Sequence, residues 1–264
     1  MIMELELSGK SVVVTGASRG IGLAVTRALV AEGASVTAVS RSGSAELKEL
    51  EAAGKVHAIT ADLADPQAPA AIVEAALAAF GRLDVLVNNV GAVHPRVAGF
   101  ASVTDDDWVT TFQINFFSAV RMIRAALPHL LAAGSGSIVT VGSVNAILPD
   151  PLVIDYSAAK AALANFAKAL SKEVGPAGVR VNTVSPGPVA TDLWLGAGGV
   201  AATVAGATGG DASAVADQVA GDSVTGRFTR PEEVADLVVF LAGNRAANIT
   251  GADFTIDGGL ITTL

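Results

Sequence analysis

The stretch that decides the fold is Val12-Val13-Val14-Thr15-Gly16-Ala17-Ser18-Arg19-Gly20-Ile21-Gly22. Its apolar start predicts a strand, its glycines predict a tight turn, and residues 23–31 predict a helix. Glycines let the backbone approach a pyrophosphate, whose negative charge is attracted by the unpaired N–H groups of a helix start. The spacing is Gly-x3-Gly-x-Gly, which differs from the commoner Gly-x-Gly-x-x-Gly pattern, so a plain strand-to-helix turn is the alternative interpretation.

Similar apolar runs recur along the chain and alternate with helical patterns. Strands are predicted at residues 12–14, 36–39, 56–61, 83–87, 137–141, 179–184 and 254–256. Helices are predicted at residues 23–31, 66–80, 105–133 with an interruption near Pro128, 156–175 and 231–242, with a weaker one at 212–220. This alternation predicts an α/β protein with a doubly wound, seven-stranded parallel sheet and helices on both faces.

Between residues 193 and 227 the periodicity fades and glycine is dense. A segment of this length exceeds an ordinary connection, so we expect a flexible lid over the substrate, with a disordered segment as the alternative. No linker or internal repeat interrupts the pattern elsewhere, which predicts a single domain over residues 1–264.

Composition narrows the class of protein. Hydrophobic residues make up 51% of the 264 residues and charged ones 16%, which excludes a disordered chain. The net charge of −8, without a run of Lys or Arg, argues against nucleic acid and anionic membranes as partners, so we expect a small molecule. The chain has no cysteine and an acidic N-terminal stretch, which favour a cytoplasmic location. His57 and His129 lack metal-ligand spacing, so no metal site is expected.

The residues that follow the second predicted strand indicate which dinucleotide would bind. Ser40-Arg41-Ser42 lies roughly twenty residues past the first glycine, where an acidic residue would favour a free ribose 2′-hydroxyl. Ser40 and Arg41, aided by Arg19, instead suit a 2′-phosphate, so NADP is favoured over NAD. The alternative is that both arginines are ordinary surface charges.

Two further turns follow predicted strands. Asp62-Leu63 follows the third strand, where Asp62 suits an adenine amino group, although Asp62 or Asp65 could equally cap the next helix. Asn88-Asn89-Val90-Gly91 follows the fourth strand, and its amide side chains could brace the crossover at the carboxyl edge of the sheet. A simple turn is the alternative for this second motif.

The chemistry of the chain is concentrated between Ser143 and Lys160. Tyr156 and Lys160 lie at i and i+4 on one helix face, so a phenol stands beside an ammonium group. A free tyrosine ionises only near pH ~10, and a nearby cation stabilises its phenolate. An amphipathic helix with an exposed lysine is the alternative. Asn115, a polar residue in an apolar helix, is either a structural amide or part of a proton path.

Taken together, these motifs resemble the short-chain dehydrogenase/reductase family over nearly the whole chain. The matching motifs, in the order of the family, are Thr15-Gly16-x3-Gly20-x-Gly22, Asn88-Asn89-Val90-Gly91, Ser143, Tyr156-x3-Lys160 and Pro186-Gly187. Val90 replaces the alanine usual in the family. The resemblance implies a Rossmann fold, a homotetramer or dimer, and hydride transfer between a nicotinamide and a ketone or secondary alcohol.

The resemblance also implies a catalytic tetrad of Asn115, Ser143, Tyr156 and Lys160. Tyr156 would protonate the developing alkoxide, and Ser143 would hydrogen-bond the same oxygen. Lys160 would lower the tyrosine pKa and hold the ribose, while Asn115 would position a water that links Lys160 to solvent. Thr191 would bind the nicotinamide carboxamide. The expected cofactor contacts are Gly16, Ser18, Arg19, Gly20, Ile21, Gly22, Ser40, Arg41, Ser42, Asp62, Leu63, Asn89, Val90, Gly91, Tyr156, Lys160, Pro186, Gly187, Val189 and Thr191.

The substrate is less well defined by the sequence. The candidates for lining its pocket are His94, Val144, Asn145, Leu193 and Trp194, and a solvated loop residue is the alternative for His94. A more specific activity, 3-oxoacyl-carrier-protein reductase, is the main alternative, although the acidic balance disfavours docking an acidic carrier. A non-redox lyase or a nucleotide sensor is less favoured, because the glycine loop, the tyrosine and the lysine are all present.

Overall fold

A computed structural model describes residues 4–263. Seven strands form one sheet in the order β3-β2-β1-β4-β5-β6-β7, and every neighbouring pair is parallel. The strands are β1 Ser11–Thr15, β2 Ser35–Ser40, β3 Val56–Thr60, β4 Val85–Asn88, β5 Gly136–Val141, β6 Val179–Pro186 and β7 Asp253–Ile256. The predicted seven-stranded parallel sheet is therefore confirmed. Strand order reverses between β1 and β4, which opens a crevice at their carboxyl ends.

The helices cover both faces of this sheet. They are α1 Gly20–Ala31, α2 Ala45–Ala52, α3 Ala68–Phe80, α4 Asp105–Phe112, α5 Ser118–Ala132, α6 Ile154–Val174, α7 Asp192–Leu195, α8 Val200–Thr208, α9 Ala212–Gly221 and α10 Pro231–Ala242. Val12 and Val14 of β1 pack with α1 and α10 on one face, and Val13 packs with α3 and α5 on the other. Burial on both faces explains why β1 is a continuous apolar run and not an alternating one. No helix within residues 4–263 is long and apolar enough to span a membrane.

The long helix predicted over residues 105–133 is interrupted at a different place from the one expected. α5 runs through Pro128, whereas a π-helical segment, Gln113–Phe117, separates α4 from α5. The prediction of a break at Pro128 is wrong because this proline lies on the exposed face, where water can bond the Arg124 carbonyl that loses its partner. The π-helical segment is stabilised by a side chain: Asn115 Nδ2 donates to the Thr111 carbonyl at 3.0 Å.

The segment between residues 193 and 227 has more helix than its sequence predicts. α7 and α8 form where periodicity is weak, and α9 matches the predicted weak helix at 212–220. α7 to α9 pack on one another and line an open pocket of about 440 Å³, whose walls include Leu195, Ala201 and Phe228. These mutual contacts stabilise helices whose own periodicity does not reveal them. The short helix α2 was not predicted either.

Candidate active site

The glycine turn after β1 has the geometry of a phosphate cradle. Gly16 and Gly20 adopt φ of +68° and +54°, a region that favours glycine. A Cβ atom on Gly22 would overlap the Gly16 carbonyl oxygen, so the backbone closes there only without a side chain. α1 begins after Arg19 with no side-chain cap, which leaves its first N–H groups pointing out of the helix end. An anion such as a pyrophosphate fits this arrangement.

The turn after β4 is bonded directly to the glycine turn. Thr15 Oγ1 accepts the N–H groups of Asn89 at 2.9 Å and Val90 at 3.2 Å. In return, Asn89 Nδ2 donates to the carbonyls of Thr15 at 3.0 Å and Gly16 at 3.3 Å. The predicted bracing of the crossover by an amide side chain is therefore present for Asn89, and it holds the two walls of the crevice together. The Asn88 amide, by contrast, has no hydrogen-bond partner within residues 4–263.

The residues predicted for a 2′-phosphate lie at the outer end of this crevice. Ser40 Oγ donates to the Ser42 carbonyl at 2.9 Å, which shapes the turn after β2. Arg19 and Arg41 are exposed, and within residues 4–263 neither guanidinium has a hydrogen bond or an ion pair. Both therefore remain available to an anion.

The next turn holds Asp62 and the buried Leu63. Asp62 is exposed, and its Oδ1 accepts the N–H of Ala64 at 2.9 Å. Asp65 Oδ1 accepts the N–H of Gln67 just before α3. Both acids thus stabilise the chain that leads into α3, and within residues 4–263 no hydrogen bond occupies the second oxygen of Asp62.

Two of the predicted tetrad residues, Asn115 and Lys160, converge beneath the turn after β4. A Cβ atom on Gly91 would lie 3.0 Å from Asn115 Oδ1 and 3.5 Å from Lys160 Nζ. Asn115 is buried, and its amide bonds both backbone groups of Ala92, from Nδ2 to O at 2.9 Å and from N to Oδ1 at 3.0 Å. Of the two roles open to Asn115, the side chain performs the structural one in this structure.

Lys160 is enclosed, and Tyr156 stands against it. The Lys160 residue is 3% exposed, and its Nζ donates to the Val141 carbonyl at 2.9 Å. Burial lowers the pKa of Lys160 to about 8. The ammonium group lies 5.7 Å from the centroid of the Tyr156 ring. Lys160 and Tyr156 are thus neighbours, as their spacing in α6 predicts.

The pKa of Tyr156 moves in the direction opposite to the one expected. Burial raises the pKa of the phenol, and hydrogen bonding to Ser143 opposes this rise only in part. Desolvation of the phenolate outweighs the hydrogen bond with Ser143, and the lowering of this pKa by Lys160 stays a prediction. Tyr156 is accordingly a protonated phenol at neutral pH.

The segment after β5 places Ser143 beside a predicted pocket residue. Ser143 Oγ donates to Asn145 Oδ1 at 3.1 Å and accepts the Asn145 N–H at 3.2 Å. Val144 is buried in the same turn, and His94 is exposed in the loop after β4. Ser143, Asn145 and Tyr156 therefore form one cluster, to which the structure does not join His94.

The segment after β6 returns to the glycine turn. A Cβ atom on Gly20 would lie 3.2 Å from Thr191 Cγ2, so Thr191 faces the start of α1. Pro186 ends β6, Gly187 is pressed against Asp257, and Val189 forms a bridge with Thr229.

The two predicted pocket residues after β6 differ in their surroundings. Leu193 is 41% exposed, whereas Trp194 packs edge-on against Phe228 with ring centroids 5.7 Å apart.

One buried ion pair next to the tetrad was missed in the sequence. Arg96 bonds Asp155, the residue that precedes Tyr156, and it also bonds Asp107 of α4. A sequence signal was available, because Arg96 is the only Lys or Arg between residues 83 and 120. Nothing in the spacing, however, pairs it with an acid 59 positions away. Within residues 4–263, no group of three or more His, Asp or Glu side chains is placed to hold a metal ion.

Comparison with known proteins identifies the family. The family model described as short chain dehydrogenase matches residues 10–197, which include the glycine turn, Asn115, Ser143, Tyr156 and Lys160. Among curated relatives, D-threitol dehydrogenase from Mycolicibacterium smegmatis is 36% identical over 97% of this chain and 94% of its own length. A 3-oxoacyl-[acyl-carrier-protein] reductase from Salmonella typhimurium is 34% identical over 97% of this chain and 99% of its own length.

A solved structure agrees with this assignment. L-sorbose reductase from Gluconobacter frateurii, complexed with NADPH and L-sorbose, superposes with a TM-score of 0.90 at 34% identity. The match covers 99% of this chain and 100% of that one. The chain therefore belongs to the short-chain dehydrogenase/reductase family and is an NAD(P)-dependent oxidoreductase.

Proposed function

We propose that this protein is an NADP-dependent reductase or dehydrogenase of a ketone or secondary alcohol. The observation that carries the proposal is the convergence of Tyr156 and Lys160 with Gly91 and Asn115 beside an uncapped glycine cradle. A phenol, a buried amine and an anion site adjoin one crevice. These three groups suit a reaction in which a bound dinucleotide transfers a hydride while a side chain transfers a proton to the same substrate.

The bound nicotinamide would supply or accept the hydride, and the side chains would manage the proton. Tyr156 is protonated at neutral pH, so in the reductive direction it donates its proton to the alkoxide that forms on the substrate. Ser143 donates a hydrogen bond to the same oxygen. Lys160, mostly an ammonium at pH 7, would bond the ribose hydroxyls and stabilise the phenolate left on Tyr156.

The preference for NADP rests on the turn after β2. Arg41 and Arg19 offer two exposed guanidinium groups, and no acidic residue stands in Ser40-Arg41-Ser42. A guanidinium suits a 2′-phosphate, whereas an acidic residue would repel it. The related L-sorbose reductase was solved with NADPH, which agrees with this preference.

The bound substrate is expected to be neutral. Three segments follow β4, β5 and β6 at the crevice, and Arg96 is the only Lys or Arg in residues 89–104, 142–153 and 187–199. Because Arg96 is already paired with two carboxylates, these segments offer no cation to a substrate carboxylate or phosphate. Exposed apolar side chains such as Ile147 and Leu193 stand there instead.

The decisive experiment compares the wild type with Tyr156→Phe on a panel of neutral ketones, keto acids and carrier-bound 3-oxoacyl thioesters. We expect NADPH-dependent turnover of neutral ketones. Tyr156→Phe should lower kcat by at least about 100-fold, because general acid catalysis is worth that much, while NADPH binding by calorimetry is retained. Equal turnover by the two proteins, or no turnover on the whole panel, would contradict the proposal.

The second candidate, 3-oxoacyl-carrier-protein reductase, is favoured by the 34% identical relative with that activity. The net charge of −8 weighs against it, because an acidic carrier would be repelled. Turnover confined to the carrier-bound thioester in the same panel would select this candidate.

We also infer a homo-oligomer, as the family resemblance implies. Large apolar side chains stand exposed near α4 and α5, including Phe100 at 65% and Val109 at 58% exposure. Burial of such exposed apolar side chains against another subunit would remove them from water. A monomeric mass by light scattering at micromolar protein concentration would contradict this inference.

A further inference from the structure

The proposed reaction assigns no role to the buried ion pair of Arg96 and Asp155, which adjoins Tyr156. Asp155 belongs to the first turn of α6, immediately before Tyr156, and its side chain is 2% exposed. Arg96 donates to Asp155 Oδ2 from Nε at 3.1 Å and from Nη2 at 2.5 Å. Thr111 Oγ1 donates to the same oxygen at 2.7 Å. A carboxylate this enclosed requires such partners, because an unpaired buried charge is strongly unfavourable.

The other oxygen of Asp155 reaches the catalytic tyrosine directly. Asp155 Oδ1 accepts the backbone N–H of Tyr156 at 3.0 Å. Val153, which precedes α6, provides no side-chain cap. The Asp155 carboxylate therefore bonds a helix-start N–H that would otherwise lack an acceptor, and the helix dipole favours its negative charge there.

The Arg96 guanidinium group is also bonded to a second carboxylate, that of Asp107 in α4. Nη1 donates to Asp107 Oδ1 at 2.9 Å, while Asp107 Oδ2 caps α4 by accepting the Thr104 N–H at 2.9 Å. The backbone N–H of Arg96 donates to the Leu152 carbonyl at 2.6 Å. One guanidinium thus links the loop after β4 to the starts of both α4 and α6.

We propose that Arg96 is a positioning residue for Tyr156, acting through Asp155 to hold the first turn of α6 in place. This inference rests on the proposed role of Tyr156 as the proton donor. The planar guanidinium bonds two carboxylates at fixed angles, and the single ammonium group of a lysine cannot reproduce both contacts. A displacement of about 1 Å at a reacting group is enough to slow catalysis on the order of 100-fold.

The test compares Arg96→Lys with a matched control at the amino-terminal end of β4, on the opposite side of the sheet from the crevice. Arg82 chelates the buried Asp84 with Nε at 2.7 Å and Nη2 at 2.6 Å, just before β4 begins. Arg82→Lys therefore disturbs a similar pair away from the crevice.

Both variants are assayed well below their unfolding midpoints. We expect Arg96→Lys to lower kcat by about 10- to 100-fold with the KM for NADPH within about twofold. Arg82→Lys should keep kcat within about twofold.

A spectroscopic readout makes the test independent of turnover. Tyr156 is the only tyrosine in the chain, so the ultraviolet absorbance of tyrosinate reports its ionisation alone. Burial raises the pKa of Tyr156. We expect its titration in Arg96→Lys, and also in Asp155→Asn, to move back toward the ordinary value of about 10, because a looser helix start admits water.

Each result then has a defined meaning. An unchanged tyrosine titration together with a kcat within about twofold of wild type would overturn the role of Arg96. An equal loss of kcat in Arg82→Lys would overturn it as well, since general destabilisation would then explain the effect. If the wild type turned over no substrate, the proposed function would fail, whereas the tyrosine titration would still decide the positioning of Tyr156.

Discussion

At position 160 a lysine is almost completely enclosed in the protein. Its Nζ has one hydrogen bond, to the Val141 carbonyl, and burial lowers its pKa from 10.5 to about 8. The unfolded chain therefore binds this proton more tightly than the folded protein does. As a result, the unfavourable burial of the charge is fully present below pH 8, and stability rises with pH between about 8 and the value of the unfolded chain.

Replacing this lysine should expose that dependence. We expect Lys160→Met to stabilise the protein at pH 7 by on the order of 3 kcal/mol, because the variant buries no charge. The advantage should shrink as the pH rises from 8 to about 9.5, below the range in which tyrosine ionises. Urea denaturation across this range measures it, with the exposed Lys172→Met as the control. Parallel pH profiles for Lys160→Met and the wild type would contradict the prediction.

The proposed role of Arg41 is to favour binding of NADP over NAD. Arg41→Ala removes an exposed guanidinium at the turn after β2, and a charged hydrogen bond to phosphate is worth about 1.5–3 kcal/mol. We therefore expect NADPH affinity to fall by about 10- to 100-fold while NADH affinity changes by less than about twofold. Calorimetry with both dinucleotides measures the ratio, and the exposed Arg124→Ala on α5 is the control. An unchanged affinity ratio would show that Arg41 does not contact the 2′-phosphate.

At the scale of elements, the contact between β1 and the turn after β4 holds the two walls of the crevice together. Two of its hydrogen bonds depend on one hydroxyl, because Thr15 Oγ1 accepts two backbone N–H groups. Thr37, on the neighbouring β2, offers a comparison. It is equally buried, but within residues 4–263 its hydroxyl has no hydrogen-bond partner. The two threonines are therefore similarly buried, but only the Thr15 hydroxyl is hydrogen-bonded within the described residues.

This pair supplies a matched prediction. Thr15→Val leaves two N–H groups without an acceptor, so we expect a loss of about 1–3 kcal/mol of stability and weaker dinucleotide binding. Thr37→Val removes a polar group that has no partner, so it should be neutral or stabilising. Chemical denaturation and calorimetry measure both quantities. Equal losses in the two variants would show that the bonds of Thr15 carry no special weight.

At the scale of the whole molecule, α7 to α9 form a unit beside the crevice and line an open pocket of their own. α8 contains only small or β-branched residues, so few large side chains anchor it. Segments with few apolar anchors open at low free-energy cost, which is what a substrate lid requires. We therefore propose that residues 193–227 form a lid over the substrate.

Hydrogen exchange tests this lid. We expect amides in residues 200–221 to exchange at least about tenfold more slowly when NADP and an alcohol substrate are both bound. NADP alone should have a smaller effect, and the central strand β5 should be unchanged in either case. Equal exchange in residues 200–221 with and without ligands would exclude closure of this segment.

The sequence alone determined the features that depend on local patterns. The parallel sheet follows from apolar runs alternating with helices, the phosphate cradle from glycine spacing, and the pairing of Tyr156 with Lys160 from the helical repeat. Only the tertiary structure decided the rest. The bonds of Asn115 to Ala92, the link from Arg96 to Asp155 and the helices between residues 193 and 227 all depend on contacts between distant parts of the chain. Local periodicity does not report such contacts, because packing, burial and desolvation arise only when those parts meet.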